Sequence, residues 1–187
     1  SEKSFGMKAV LFDLDETVLD RSTSLKKYVQ WQASQMSDLQ KSDREKFIER
    51  FIVLDDNGKT WKDAVFEQLL TEFSISSCTA AQLVEVYLHS FAKFCCPKPY
   101  IFNSIKQIKD VGLKIGLVSK GPSPFQERNF SSLGMSDYFD TIVVSEAVRL
   151  RKPDPEIFHL ASRNVGVAAD ECVFVGDNPM ADIEGSN

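Results

Sequence analysis

The feature of this sequence that most limits its possible folds is a short apolar run that ends at two acidic residues. Residues 9–12 read Ala-Val-Leu-Phe, the pattern of a buried strand, and Asp13 and Asp15 follow at once. Carboxylates at the end of a buried strand are costly to desolvate unless a cation or hydrogen-bond donors compensate them. The pair therefore predicts a nearby metal ion or a partner lysine.

A long helical region follows this strand. Between residue 18 and residue 95, apolar residues recur at helical spacing in four successive segments. Two stretches, Ser42-Asp43-Arg44-Glu45 and Thr79 with Gln82, have the form of capping boxes that begin helices. The aromatic residues of the four segments are expected to form a shared core. The pattern therefore predicts a small helical bundle inserted at residues 18–97.

Strand and helix patterns alternate after the helical region. The proline-rich stretch 96–99 interrupts the helical spacing, and strands are then predicted at 113–118, 141–144 and 172–175. This alternation favours an α/β fold with a doubly wound parallel sheet, built from residues 7–17 and 98–187. Ligands bind at the carboxyl ends of such strands. The polar residues expected there are Asp13, Asp15, Ser119, Lys120, Gly176 and Asp177, with Lys152 in the loop after the third strand.

Composition argues against several classes of function. The 187 residues are 43% hydrophobic and 26% charged, as in a soluble globular protein. A net charge of −5 argues against a nucleic-acid partner, because no basic face is available for phosphates. No apolar run reaches the roughly 20 residues that span a bilayer, and no signal peptide is recognisable, so we expect a cytoplasmic protein without a membrane partner. The four cysteines lack metal-ligand spacing and are expected to be reduced and partly buried.

Four ordered segments resemble the motifs of the haloacid dehalogenase superfamily, in its phosphatase-like subfamily I with a helical C1 cap. They are Asp13-Leu14-Asp15-Glu16-Thr17, Ser119 at the end of 116–119, Lys152 in Lys152-Pro153-Asp154-Pro155, and Gly176-Asp177 followed by Asp182. The resemblance covers the whole chain. It implies a Rossmann-like core, a helical cap over the site, a phosphate-ester substrate, bound Mg²⁺ and an aspartyl-phosphate intermediate.

The resemblance also implies a role for each acidic residue of the site. Asp13 would be the nucleophile that attacks phosphorus. Asp15 would protonate the leaving alkoxide and then accept a proton from the attacking water. Mg²⁺ would be held by Asp13, the backbone carbonyl of Asp15, and Asp177. Asp182 would orient Lys152 or the waters of the metal.

Further residues are implied to bind the substrate or support the site. Ser119 and Lys152 would bind the transferring phosphoryl oxygens, and Lys120, which follows Ser119 in sequence, is a further candidate to bind substrate. Thr17 would hold the loop around the intermediate. Gly176 and Asn178 would shape the turn around Asp177. In the cap, the turn at 55–59, above all Lys59, and the nearby Lys62 are candidate contacts to the substrate, although an ordinary solvated turn is an equal alternative.

Two departures from the family pattern lead to expectations of their own. Position 16 is often Gly in this superfamily, and Glu16 places a third acid beside the site, where we expect it to point outward. The sequence ends at Asn187, within the helix expected after the fourth motif, so we expect the core to lack the C-terminal edge strand of its relatives.

The predicted function is a Mg²⁺-dependent phosphatase for a small phosphorylated metabolite, acting as a monomer or a weak homodimer. Asp15 favours this activity over that of the dehalogenases of the superfamily, which lack the second aspartate. A phosphomutase of the same superfamily remains an alternative, since it shares Asp15 and the cap. A receiver-like or scaffold protein that binds Mg²⁺ without turnover is a third possibility, against which the retention of Asp15 and Lys152 counts.

Overall fold

A parallel four-stranded sheet organises the computed structural model, which describes residues 6–148 and 155–176. The strands are β1 (Ala9–Phe12), β2 (Lys114–Ser119), β3 (Thr141–Val144) and β4 (Cys172–Val175), in the spatial order β3-β2-β1-β4. Every neighbouring pair is parallel, so all four carboxyl ends lie at the same edge. The predicted α/β fold with a parallel sheet is confirmed.

Helices fill the connections between the strands. The helices between β1 and β2 are α1 (Arg21–Gln35), α2 (Arg44–Asp55), α3 (Lys62–Glu72), α4 (Ala80–Ser90) and α5 (Ile101–Asp110). The later ones are α6 (Phe125–Ser131), α7 (Ser145–Val148) and α8 (Pro155–Asn164). Within the described part of the chain, none of the helices is both long enough and apolar enough to cross a bilayer.

The chain divides into two compact units, which we call the core unit (residues 1–20 and 96–187) and the helical unit (Arg21–Cys95). The two segments that leave and re-enter the core unit run side by side. Leu19 and Pro97 form an antiparallel bridge, and the Asp20 N–H donates to the Cys96 carbonyl over 2.9 Å. The helical unit falls inside the insertion predicted at 18–97.

Strand β1 is central in the core unit, and all four of its side chains are buried. Successive strand residues point to opposite faces of a sheet. Leu11 packs into a cluster with Val118 and Ile157 on the face covered by α8. Phe12 lies 6.2 Å from the ring of Phe139, which itself contacts Phe130 of α6 at 4.7 Å. Both faces of the sheet are therefore covered, as the continuous apolar run of β1 requires.

A glycine allows the central strands to pack closely. A Cβ at Gly116 of β2 would lie 2.7 Å from Leu11 Cδ2 and 2.9 Å from Thr141 Cγ2. Contacts this short are not tolerated between carbon atoms, so the side chains of the flanking strands occupy the space that a larger residue would need.

Aromatic side chains fill the interior of the helical unit, as predicted. Tyr28 and Phe91 are buried, with ring centroids 5.9 Å apart, and Tyr87 packs edge-on to Tyr28 at 5.4 Å. Burial raises the pKa of the Tyr28 hydroxyl, because ionisation would place a charge in this apolar interior.

The two predicted capping boxes have different outcomes. At the start of α4, Thr79 Oγ1 accepts from the Gln82 N–H over 3.2 Å and Gln82 Oε1 accepts from the Thr79 N–H over 3.0 Å, so this box is confirmed. The box at Ser42-Asp43-Arg44-Glu45 is wrong. A 3₁₀ turn at Lys41–Asp43 precedes α2. Asp43, the residue before α2, has a helical backbone, and its side chain accepts no capping hydrogen bond. The 3₁₀ turn thus replaces the cap.

Candidate active site

Two acidic residues of the core unit follow β1 at the carboxyl edge of the sheet. The Asp13 N–H donates to the Val175 carbonyl over 2.9 Å, which continues the parallel pairing one residue beyond the strand. Asp13 Oδ1 accepts the Leu14 N–H over 2.9 Å, and this bond restrains rotation of the carboxylate. The chain then curls, because the Val18 and Leu19 N–H groups both donate to the Leu14 carbonyl. Asp13 and Asp15 are both half-buried in this curl.

A buried glutamine connects Asp15 with the end of β2. Gln126, near the start of α6, is only 3% exposed. Its Nε2 donates to Ser119 Oγ over 2.9 Å, to the Lys120 carbonyl over 3.1 Å and to Asp15 Oδ2 over 3.3 Å. Asp15 and Ser119, which were predicted to share a site, therefore contact the same amide group.

Sequence reasoning missed Gln126. Residues Phe125, Asn129 and Phe130 are buried with it, so the glutamine is a polar residue on the core-facing side of α6. A polar residue on an otherwise buried helical face is the one sequence signal that could have identified it. Its partners could not be identified from sequence, because Asp15 lies 111 positions away along the chain.

The loop after β2 is fixed to the end of β3. The Gly121 N–H donates to Ser145 Oγ over 3.0 Å, and Ser145 is the first residue of α7. Lys120 has an exposed side chain, whereas its backbone carbonyl accepts from Gln126. The predicted role of the Lys120 side chain in phosphate binding stays a prediction.

An ion pair lies on the loop that carries the acids. Glu16 adopts a left-handed backbone with φ of 62°, and its Oε2 lies 3.4 Å from Lys98 Nζ on the returning segment. The Glu16 side chain is 25% exposed and takes part in this ion pair, and the expectation that it points outward stays a prediction. Thr17 is half-buried, and its N–H donates to the Leu14 carbonyl over 3.2 Å.

Several predicted site residues lie outside the described residues. They are Lys152, Asp177, Asn178 and Asp182. Gly176 is described and follows β4 at the carboxyl edge, half-buried. Among residues 6–148 and 155–176, no group of three or more His, Cys, Asp or Glu side chains is placed to hold a metal ion. The predicted metal set of Asp13, Asp15 and Asp177 thus stays a prediction.

The helical unit contains an ion-pair cluster of Asp55, Arg21 and Lys62, next to the turn predicted to contact substrate. Asp55 is 1% exposed and accepts two hydrogen bonds from Arg21, at 2.8 and 2.9 Å. It also forms an ion pair with Lys62 and accepts the Gly58 N–H over 3.0 Å. Asp55 is thus a buried ion-pair partner, whereas residues 56–59 of the turn are exposed, and a contact from them to substrate stays a prediction. Lys59 is exposed beside it.

The cluster shifts the ionisation of its members. Burial opposes ionisation of Asp55, but hydrogen bonds and charge from Arg21 and Lys62 outweigh it and hold the pKa of that carboxyl below its usual value. Burial lowers the pKa of the Lys62 ammonium, the attraction of Asp55 offsets this effect only partly, and the nearby positive charge of Arg21 lowers the pKa further. The Lys62 ammonium also lies 5.8 Å from the centre of the Tyr87 ring.

Comparison with known proteins identifies related sequences and folds. Residues 7–186 match the family model of the haloacid dehalogenase-like hydrolases. A glyceraldehyde 3-phosphate phosphatase from Methanopyrus kandleri is 30% identical over 191 residues, which cover 97% of this chain and 80% of the relative.

Solved structures show the same architecture. A HAD phosphatase from Thermococcus onnurineus superposes with a TM-score of 0.60 at 27% identity, over 96% of this chain and 81% of that one. A 2-haloacid dehalogenase from Pseudomonas syringae pv. Tomato superposes with a TM-score of 0.59 at 24% identity, over 96% of this chain and 82% of that one. At 24% identity, the similarity to the dehalogenase shows a shared fold and no more than that.

Proposed function

Since this chain belongs to the haloacid dehalogenase-like hydrolases, we propose that it is a Mg²⁺-dependent phosphatase acting on a small phosphorylated metabolite. The observation that carries this proposal is the contact of Asp15 Oδ2 and Ser119 Oγ with a single amide group. This arrangement brings a proton carrier and a hydroxyl donor together at the strand end where Asp13 lies. The relatives named as phosphatases support the same reaction class.

In the first half of the proposed reaction, a carboxylate oxygen of Asp13 attacks phosphorus and the bond from phosphorus to the ester oxygen breaks. The leaving alkoxide takes a proton from Asp15, and the phosphoryl group stays on Asp13 as an acyl phosphate. The hydrogen bond from the Leu14 N–H to Asp13 Oδ1 favours this step because it restrains the attacking carboxylate.

In the second half, water attacks the acyl phosphate, gives a proton to Asp15, and the bond from phosphorus to Asp13 breaks to release phosphate. The Ser119 hydroxyl donates a hydrogen bond to a phosphoryl oxygen, where negative charge is concentrated. Lys152, outside the described residues, is proposed to bind a second phosphoryl oxygen as a point charge.

The donor chemistry of the site fits a magnesium ion. The acids after β1 offer carboxylate and carbonyl oxygens, the hard ligands that Mg²⁺ prefers, and Asp177 is the proposed third donor. Bound Mg²⁺ supplies positive charge that offsets repulsion between the phosphate ester and these carboxylates.

The first experiment measures phosphate release from p-nitrophenyl phosphate and from a panel that includes glyceraldehyde 3-phosphate, with and without EDTA. We expect activity that EDTA abolishes and Mg²⁺ restores, and we expect loss of turnover in Asp13→Asn. Asp110→Asn is the matched control, because it makes the same carboxyl-to-amide change at an exposed residue ending α5. Activity that persists in Asp13→Asn, or that ignores chelation, would overturn the mechanism.

A second readout distinguishes the alternatives. Brief incubation with substrate followed by acid quench and mass spectrometry is expected to find a phosphoryl group on the peptide that contains Asp13. Chloride release from a 2-chloro acid without phosphatase activity would identify a dehalogenase, and net interconversion of sugar-phosphate isomers would identify a mutase. Mg²⁺ binding without turnover of any phosphate ester would support the scaffold alternative.

A further inference from the structure

We propose that Gln126 is a positioning residue that holds the proton carrier Asp15 and the phosphate-binding Ser119 in a fixed relation to each other. This proposal rests on the proposed phosphatase function. It assigns a role to a residue of α6 that belongs to none of the four sequence motifs. The geometry that supports it consists of three contacts made by one side-chain nitrogen.

The chemistry of the three partners fixes the orientation of the Gln126 amide. The partners are a carboxylate oxygen of Asp15, the hydroxyl oxygen of Ser119 and the backbone carbonyl of Lys120. A carboxylate and a carbonyl can only accept hydrogen bonds, so the amide group that faces them must be the NH₂ end. The contacts therefore cannot be reversed by exchanging the amide nitrogen and oxygen.

Two hydrogens on Nε2 serve three acceptors. The contacts to Ser119 Oγ at 2.9 Å and to the Lys120 carbonyl at 3.1 Å are the shorter, and the contact to Asp15 Oδ2 at 3.3 Å is the longest. The strand end at Ser119 thus anchors the amide, and the anchored amide offers Asp15 a donor at a fixed place.

The same amide controls the direction of the Ser119 hydroxyl. Because Ser119 Oγ accepts from Gln126, one of its lone pairs is occupied and its own proton must point elsewhere. The alternative acceptor nearby, the Lys120 carbonyl, lies 3.5 Å away, which is long for a hydroxyl donor. The hydroxyl proton is therefore available for a phosphoryl oxygen.

The backbone beside Gln126 is built to admit this side chain. Gly121 has a φ of +141°, and a Cβ there would lie 3.0 Å from Gln126 Cγ and 3.2 Å from Nε2. The Cβ of any larger residue at position 121 would make a close steric contact with the Gln126 side chain. The loop is also held in place by the Gly121 N–H bond to Ser145 Oγ, so the glutamine packs against a fixed wall.

The experiment compares two phosphate esters that differ in their need for a proton donor. Nitrophenolate is a stable leaving group that departs without protonation, whereas the alkoxide of glycerol 2-phosphate must be protonated as it leaves. Misplacing Asp15 is expected to slow formation of the acyl phosphate only from the alkyl ester, while misplacing Ser119 slows it from both esters. The ratio of kcat/KM for glycerol 2-phosphate to that for p-nitrophenyl phosphate therefore isolates the effect on Asp15.

For Gln126→Leu, which removes the donors at similar size, we expect this ratio to fall about 10- to 100-fold, mainly through kcat. Gln126→Glu keeps the length but lacks the donors, and it is expected to lower the ratio as well. Asn129→Leu is the matched control, since Asn129 is an equally buried amide on α6 whose side chain has no hydrogen-bond partner among the described residues. Its ratio is expected to equal that of wild type.

Further measurements separate positioning from loss of folding. Far-UV circular dichroism and urea midpoints identify variants that are folded. In an Asp15→Asn background, Gln126→Leu is expected to cause no additional change in the ratio, because the group through which it acts is already altered. An unchanged ratio in folded Gln126→Leu with active wild type would overturn the positioning role alone. Wild-type protein without phosphatase activity would overturn the proposed function and this role with it.

Discussion

Replacing Asp55 with asparagine tests whether the ion-pair cluster stabilises the helical unit. The carboxylate is 1% exposed and has two cationic partners, so its removal takes this counter-charge away from Arg21 and Lys62, whose side chains are largely buried. Removing one partner of a buried ion pair costs about 3–5 kcal/mol. The Gly58 N–H keeps an acceptor in the asparagine oxygen, so the loss of charge is the main change.

Tryptophan fluorescence measures this loss in the unit concerned, because both tryptophans of the chain, Trp31 and Trp61, belong to the helical unit. With a urea slope of about 2 kcal/mol per M, a loss of about 4 kcal/mol lowers the midpoint by about 2 M. The control is Asp56→Asn, which makes the same change one residue later. Asp56 is exposed and has a left-handed backbone that asparagine tolerates. The free energy of unfolding of Asp56→Asn is therefore expected to stay within about 0.5 kcal/mol of wild type.

The pH dependence of the same comparison has a definite sign. The pKa of Asp55 is lowered in the folded protein from its ordinary value of 3.8, so its contribution to stability is complete above that value. It is lost as the pH falls through the lower folded-state pKa. The gap between wild type and Asp55→Asn is therefore expected to be constant from pH 7 to pH 5 and to shrink below 3.8. Equal midpoints for Asp55→Asn and Asp56→Asn at pH 7 would refute the reasoning.

Three further substitutions test other parts of the fold. Gly116→Ala forces a methyl group against both flanking strands and is expected to destabilise the core unit by about 1–3 kcal/mol in urea unfolding followed by circular dichroism; an unchanged midpoint would contradict this. Thr79→Ala removes the cap of α4 and is expected to cost about 1 kcal/mol by tryptophan fluorescence, whereas Thr79→Ser should not. Glu16→Gly relieves about 1 kcal/mol of left-handed backbone strain but loses an ion pair worth at most about 1 kcal/mol, so its urea midpoint is expected to stay close to that of wild type. Lys98→Met removes the ion pair without relieving the strain, so it is expected to lower the midpoint.

Local sequence patterns predicted the elements that depend on neighbouring residues. The four strands and the cap of α4 are set by apolar runs or by contacts three residues apart. The family motifs additionally predicted that Asp15 and Ser119 meet. Glu16 illustrates the limit of that information, because its left-handed backbone explains why glycine is frequent there, whereas its partner Lys98 is 82 residues distant.

The features that the sequence did not predict depend on distant residues. Gln126 contacts Asp15 only because the fold brings together residues 111 positions apart. Asp55 likewise pairs with Arg21, which lies 34 positions earlier in the chain. The local sequence around a carboxylate does not show whether cations or hydrogen-bond donors will compensate its charge, since these groups come from residues that are distant along the chain. This is why the turn at 55–59 could be read equally as a solvated turn or as a substrate contact.

The extent to which neighbouring cations compensate a carboxylate distinguishes Asp55, a structural acid, from Asp13 and Asp15, the acids proposed to react. Asp55 is almost fully buried among cations that lower its pKa, and such a carboxylate is poorly suited to accept a proton or to contact a ligand. Asp13 and Asp15, the acids proposed to react, are only half-buried at the edge of the sheet. The same argument applies to the cations of the helical unit. Lys62 is engaged by Asp55, so of the two lysines predicted to contact substrate only Lys59 is exposed, and its contact stays a prediction.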